Sequence, residues 1–147
     1  MEKILIVDDD KWIAQMLIAK LNPEEYIVKH SLNGKEAIKE LETFIPDLVI
    51  LDIMMPEMNG YEFLEKFRAT AAFILTPVII LSAKGKESDI IKGFEFGADN
   101  YIIKPCPPSI MIAHINGKFT DMVYPFLKNI LLKIKSKSRG KKQKKER

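Results

Sequence analysis

One cysteine, Cys106, and two histidines, His30 and His114, are the only thiol and imidazoles among the 147 residues. A single thiol excludes an internal disulfide and the cysteine-rich metal frameworks. Two imidazoles fall short of an all-protein zinc site. Any resident metal should therefore be a hard cation held by oxygen. Long apolar runs are missing too: none approaches the roughly 20 residues that a membrane-crossing helix needs. At the N-terminus, MEKILIVDDD places acids where a cleavable signal would have small residues. These absences favour a cytoplasmic protein. No internal repeat interrupts the chain.

What is present suits a globular protein, with 47% apolar and 29% charged residues. The length fits one domain with its own core. The net charge of +3 conceals two regions. Between residues 133 and 147 stand nine Lys and Arg against one Glu, which leaves 14 basic and 19 acidic residues for the rest. An acidic body carries a basic tail. The expected division is a folded domain over 1–120 and a basic, amphipathic or disordered tail over 121–147.

Short apolar runs alternate with segments of helical period. KILIV (3–7), YIVKH (26–30), DLVILD (47–52), PVIILS (77–82) and NYIIK (100–104) read as strands. A first helix is expected over 11–21, where Ile13, Met16, Leu17 and Leu21 share a face, and a second over GKEAIKELETF with Ala37, Ile38 and Leu41 inward. A third covers 61–68 and a fourth SDIIKGFEFG, with Ser88 as its N-cap and Gly97 at its end. A less regular fifth begins near Pro108. Trp12 reads as half-buried packing, His30 as a strand residue, His114 as a helix-surface residue and Cys106 as a small apolar filler. Strands alternating with helices imply a parallel sheet covered on both faces through right-handed crossovers. Such sheets form their sites at the carboxyl ends of the strands. Those ends carry Asp8 and Asp9, Asp52, Ser82 and Lys104.

Carboxylates gathered at one edge repel one another unless a cation neutralises them. Mg²⁺ accepts a few oxygen ligands, keeps several waters and commonly bridges to phosphate. A lysine and a hydroxyl in the same crevice complete a clamp for a phosphoryl group. An ionised aspartate at its centre can attack phosphorus and become an aspartyl phosphate. Asp52, on a central strand, is the expected nucleophile. The blander readings are a solvated helix N-terminus for Asp8 and Asp9, a plain cap for Ser82 and an ordinary strand aromatic for Tyr101. It is the conjunction with Asp52 and Lys104 that favours chemistry.

ILIVDDD, PDLVILDIMMPEMNGYEFL, PVIILSAK and GADNYIIKP occur in this order over about residues 1–106, and together they resemble the receiver domain of bacterial two-component response regulators. The resemblance implies an α/β, flavodoxin-like, doubly wound five-stranded parallel sheet in the order 2-1-3-4-5 with helices on both faces. It implies that Asp52 accepts phosphate from a sensor histidine kinase or phosphotransfer protein. Asp9 and Asp52 would ligate Mg²⁺ directly, joined by the backbone carbonyl of Met54, while Asp8 acts mostly through water. Mn²⁺ would be a substitute. Asp10 would open the first helix rather than bind metal. Lys104, preceding a cis Lys104–Pro105 bond, would pair with the phosphoryl oxygens. Ser82 and Ala83 would meet the phosphoryl group, and Tyr101 would turn inward behind them, biasing two conformations of the fourth-helix face. A downstream effector protein would read that face, on a monomer or a phosphorylation-dependent dimer.

The pattern departs from the family after Pro105. CPPSIMIAHINGKFTDMVYPF has no acid before Asp121, so the charged contacts through which many relatives dimerise are not expected. The remaining segment is too short for a winged-helix output domain. Phe126, Leu127, Ile130, Leu131 and Ile134 form an apolar stripe ahead of the basic run. That run suits a tether to nucleic acid or an anionic membrane, a solvated tail, or the linker of a longer regulator. A phosphatase of the haloacid dehalogenase type also uses an aspartate and Mg²⁺. It wants Asp-x-Asp with the nucleophile on the first strand, whereas Lys11 and Trp12 follow Asp10 and no cap insertion is present. A flavin carrier would need a phosphate loop rich in Ser, Thr and Gly after the first strand, and none is there.

Overall fold

The computed structural model describes residues 1–117. The boundary expected at residue 120 and every expectation for the tail lie outside the described residues. Five strands form one parallel sheet: β1 (Glu2–Val7), β2 (Tyr26–Ser31), β3 (Leu48–Leu51), β4 (Val78–Ser82) and β5 (Asn100–Ile103). Their order is β2-β1-β3-β4-β5, the flavodoxin-like arrangement. Between and after them run α1 (Lys11–Lys20), α2 (Gly34–Glu40), α3 (Gly60–Ala69), α4 (Glu87–Glu95) and α5 (Pro108–Ile115).

Strand residues alternate between two cores because side chains of a strand point to opposite faces in turn. Leu5, Val7, Val49, Leu51, Val78 and Ile80 meet Ala37 of α2, Phe63, Leu64 and Phe67 of α3, and Ile90 and Phe94 of α4. Ile4, Ile6, Ile50, Ile79, Leu81 and Ile102 meet Ile13, Ala14 and Leu17 of α1 and Met111 of α5. Ile4 to Val7 are wholly buried, as expected of a strand covered on both sides. No described helix is long and apolar enough to cross a membrane.

Three local expectations need correction. Ser88 does not cap α4; Lys86 holds the cap position, and the Asp89 carboxylate accepts the Lys86 N–H at 3.2 Å from the first turn. An acid at that position supplies the reciprocal half of a capping box, so the helix starts before Ser88. Trp12 is not half-buried but 60% exposed, because the inward stripe of α1 is Ile13, Ala14, Met16 and Leu17, and residue 12 falls outside it. His114 is half-buried on α5, its Nδ1 3.0 Å from Asn100 Nδ2.

The edge opposite the strands' carboxyl ends is closed by Arg68. Its guanidinium donates to the carbonyls of Gly97, Phe73 and Thr76 at 2.6–3.0 Å and meets the Asp99 carboxylate at 3.0 Å. Gly97 ends α4 at φ 109°, a conformation open to glycine, with the Ala98 N–H returned to the Gly93 carbonyl.

Candidate functional site

Parallel pairing carries past the ends of the strands and seats the acids on the sheet itself. The Asp8 N–H donates to the Ser31 carbonyl at 3.1 Å, and the Asp52 N–H to the Val7 carbonyl at 2.9 Å. Asp8 and Asp52 therefore stand side by side, both buried, after β1 and β3. Asp9 follows on the exposed side. One carboxylate oxygen from each of the three lies within 4.8 Å of the others. Asp10 is the N-cap of α1, its Oδ1 accepting the Trp12 N–H at 2.9 Å. The triple aspartate thus divides into two converging acids and one cap, with Asp8 Oδ1 bracing the turn by accepting the Asp10 N–H at 2.8 Å.

Lys104 enters from the far side. Its N–H donates to the Ser82 carbonyl at 2.8 Å, and the bond to Pro105 is cis. The ammonium Nζ lies 3.0 Å from Asp8 Oδ2 and 3.5 Å from Asp52 Oδ2. Burial raises the Asp8 carboxyl above its ordinary value, and the charge of Asp52 adds to this against the opposing Asp10 N–H and Lys104. For Lys104, burial pulls downward, but the hydrogen bond to Asp8 and the charges of Asp52 and Asp8 outweigh it and hold the ammonium above its usual range.

Three carboxyl groups converge on a single ammonium, so the cluster has more acids than cations to balance them. The donors are hard oxygens, without nitrogen or sulfur in the cluster. That set fits a divalent cation such as Mg²⁺ and disfavours softer metals. Met54 stands at the rim with its side chain exposed, and its N–H donates to Asp52 Oδ1 at 3.3 Å.

Behind the acids, Ser82 is fully buried, and its Oγ accepts the Lys84 N–H at 3.3 Å. Ala83 is exposed beside it. Tyr101 is buried, and its hydroxyl donates to the Lys84 carbonyl. A Cβ on Gly93 would lie 3.1 Å from the Tyr101 ring, so that ring rests directly on α4. Burial pushes the Tyr101 hydroxyl well above its ordinary value, with Tyr61 and Asp89 adding to the effect. Tyr61, from α3, donates to the Asp89 carbonyl at 3.1 Å, and burial pushes its hydroxyl up to about 12.

The sequence-derived residues Asp8, Asp9, Asp52, Ser82 and Lys104 are thus gathered at one edge, with Tyr101 a layer behind. Two participants escaped sequence reasoning. His30 reaches the Asp8 carbonyl, Nε2 to O 2.6 Å, from the carboxyl end of β2, where the strand-end rule was not applied and would have found it. Gly60 lies where a Cβ would come 2.4 Å from the Asp52 carbonyl oxygen.

Residues 4–116 match the sequence pattern of the response regulator receiver domain. The chain is 39% identical over 114 residues to the regulatory protein VanRc of Enterococcus gallinarum, covering 78% of this chain and 48% of that protein. It is 42% identical over 116 residues to the transcriptional regulatory protein ResD of Bacillus subtilis (strain 168), covering 78% of this chain and 47% of the other. Among solved structures it resembles the BeF3-activated DrrB receiver domain, with a TM-score of 0.71, 35% identity, and coverage of 79% of this chain and 95% of that one. The chain spans about half the length of the curated relatives it matches. It belongs to the response regulator receiver domain family. It is a receiver-type signalling domain, homologous to two-component regulators.

Proposed function

We propose that Asp52 is the phosphoacceptor of a Mg²⁺-dependent switch. The observation that carries this reading is the convergence of Asp8, Asp9 and Asp52 oxygens within 4.8 Å, with the Lys104 ammonium 3.5 Å from Asp52. The donor is a phosphohistidine on a sensor kinase or phosphotransfer protein. An Asp52 oxygen attacks phosphorus; the O–P bond forms as the N–P bond breaks, and the imidazole leaves with the bonding pair. Asp9, Asp52 and the Met54 carbonyl would hold Mg²⁺, with Asp8 acting mainly through water, and the ion would supply positive charge against the phosphoryl oxygens; Mn²⁺ would substitute for it. Lys104 provides the second positive charge, and Ser82 with the Ala83 N–H provides donors.

Signal output follows from what Ser82 gives up. Its Oγ accepts the Lys84 N–H, and the Lys84 carbonyl accepts the Tyr101 hydroxyl. When the Ser82 hydroxyl turns to a phosphoryl oxygen, Lys84 loses that acceptor, its backbone shifts, and the Tyr101 ring repacks against Gly93 and α4. A downstream effector reads the altered face. Incubation with radiolabelled acetyl phosphate tests the reading. Label should enter with Mg²⁺, vanish with EDTA, and vanish in Asp52→Ala. Label that survives Asp52→Ala overturns the assignment.

A further inference from the structure

We propose that His30 is a positioning residue for the acidic site, acting through the peptide plane that joins Asp8 to Asp9. The proposal rests on the reading of those two acids as cation ligands given above. Strands β1 and β2 pair in register from Glu2 opposite Tyr26 to Val7 opposite Ser31. One more ladder bond follows, from the Asp8 N–H to the Ser31 carbonyl. The next bond of a parallel ladder would bring the Asp8 carbonyl to a backbone N–H two residues beyond Ser31. The chain has turned away by then. The Leu32 N–H donates to Glu36 Oε2 at 3.0 Å, and Asn33 is the N-cap of α2. The Asp8 carbonyl thus sits just past the ladder, and His30 Nε2 reaches it at 2.6 Å.

A carbonyl oxygen only accepts, so Nε2 carries the hydrogen in this contact. The bond fixes the rotation of the peptide plane between Asp8 and Asp9. That plane sets ψ of the first acid and φ of the second, and hence the directions of both carboxylates. Asp8 turns inward to Lys104, and Asp9 faces out, yet their oxygens still converge with those of Asp52. The backbones of Asp52 and Lys104 are held separately, by the Val7 and Ser82 carbonyls, while the Lys104 ammonium also meets Asp8 Oδ2. Loss of the His30 bond therefore loosens the orientation of two ligands and leaves the backbones of the nucleophile and the lysine seated. The effect falls on cation affinity rather than on the reactivity of Asp52 once the cation is bound. Outer partners that orient metal ligands commonly contribute about 10- to 100-fold to affinity. A single hydrogen bond on a backbone carbonyl belongs at the lower end.

The test compares the full chain with His30→Leu, which removes the donor, and His30→Gln, which offers an amide N–H from the same strand position. Two readouts give the half-saturating Mg²⁺ concentration. One is the fluorescence of Trp12, the single tryptophan, exposed in the first turn of α1. The other is the Mg²⁺ dependence of labelling by acetyl phosphate. His30→Leu should raise the half-saturating concentration about 5- to 10-fold while labelling at saturating Mg²⁺ stays within about 2-fold, and His30→Gln should restore most of the affinity. A purely architectural histidine lowers the melting temperature and leaves the Mg²⁺ midpoint of the folded protein unchanged. An unchanged midpoint in His30→Leu overturns the proposal, as does a His30→Gln variant weakened as much as His30→Leu. Should His30→Leu fail to fold, His30→Asn, whose shorter amide cannot span to the Asp8 carbonyl, takes its place: a raised midpoint supports the proposal and an unchanged one overturns it. A wild-type chain without any Mg²⁺ response in either readout overturns the metal site itself. A wild type that responds alongside an identical His30→Leu overturns only the role of His30.

Discussion

Replacing Gly60 with alanine asks whether the turn after β3 is what seats Asp52. The Gly60 N–H donates to the Ile53 carbonyl at 2.9 Å, drawing the first residue of α3 against the strand end. An added Cβ would lie 2.4 Å from the Asp52 carbonyl oxygen and 2.7 Å from Ile53 Cα. Comfortable carbon contacts begin at about 3.5 Å, so the overlap is roughly 1 Å. Both obstructing atoms are backbone, so no side chain can swing aside. Overpacking of this kind typically costs about 1–3 kcal/mol, and obstruction by backbone places Gly60→Ala near the upper end. With a urea slope of about 1.5–2 kcal/mol/M, the unfolding midpoint should fall by roughly 1.5–2 M. Relief of the clash must displace the 52–53 segment or the start of α3. A displacement of about 1 Å at a reacting group can cost roughly 100-fold in rate, and acetyl phosphate labelling should fall by that order. Gly85→Ala is the control. Its nearest obstruction is the Ile103 Cγ2 methyl at 3.2 Å, which can rotate away, so its stability change should stay under about 1 kcal/mol. A Gly60→Ala chain with the wild-type midpoint and wild-type labelling would refute the packing argument.

Other perturbations have equally definite outcomes. Glu57 adopts φ 67°, the left-handed region, so Glu57→Gly should raise stability by about 0.5–1 kcal/mol in thermal unfolding, the strain relief exceeding the entropy of an added glycine. Arg68→Lys replaces a planar fork by a single ammonium and strands the carbonyls of Gly97, Phe73 and Thr76, and should cost about 2–3 kcal/mol in urea unfolding. Tyr61→Phe removes the bond to the Asp89 carbonyl and should cost about 1 kcal/mol at neutral pH. Folded Tyr61 keeps its proton to about 12 against an ordinary 10.0, so its contribution is full below pH 10 and is lost as pH rises toward 12. Alkaline unfolding curves of Tyr61→Phe should accordingly be flatter across that window.

The carboxyl ends of the strands were legible because strand and helix periods differ, and because acids, a hydroxyl and a lysine recur just where apolar runs stop. The role of Asp10 in opening α1 came from the family resemblance, and Asp10 is the N-cap there. What escaped depends on register and packing between elements distant in sequence. His30 meets Asp8 only because β2 lies beside β1 in one particular register. Tyr61 and Arg68 bridge 28 and 29 residues, to Asp89 and Gly97, and nothing local marks a tyrosine or arginine for such a partner. The start of α4 after Lys86 rather than at Ser88 reflects the Asp89 carboxylate, which accepts the Lys86 N–H from the first turn. For Trp12 the signal was present in the sequence: with Ile13, Met16 and Leu17 inward, helical period turns residue 12 toward solvent.

The central claim is that Asp52, and neither of its acidic neighbours, carries the phosphoryl group. Borohydride reduces an aspartyl phosphate to homoserine, and peptide mass spectrometry then locates it. After incubation with acetyl phosphate and Mg²⁺, homoserine is predicted at position 52 alone and is absent when EDTA is added. Phosphate uptake with homoserine at position 8 or 9, or with an unaltered position 52, contradicts the account.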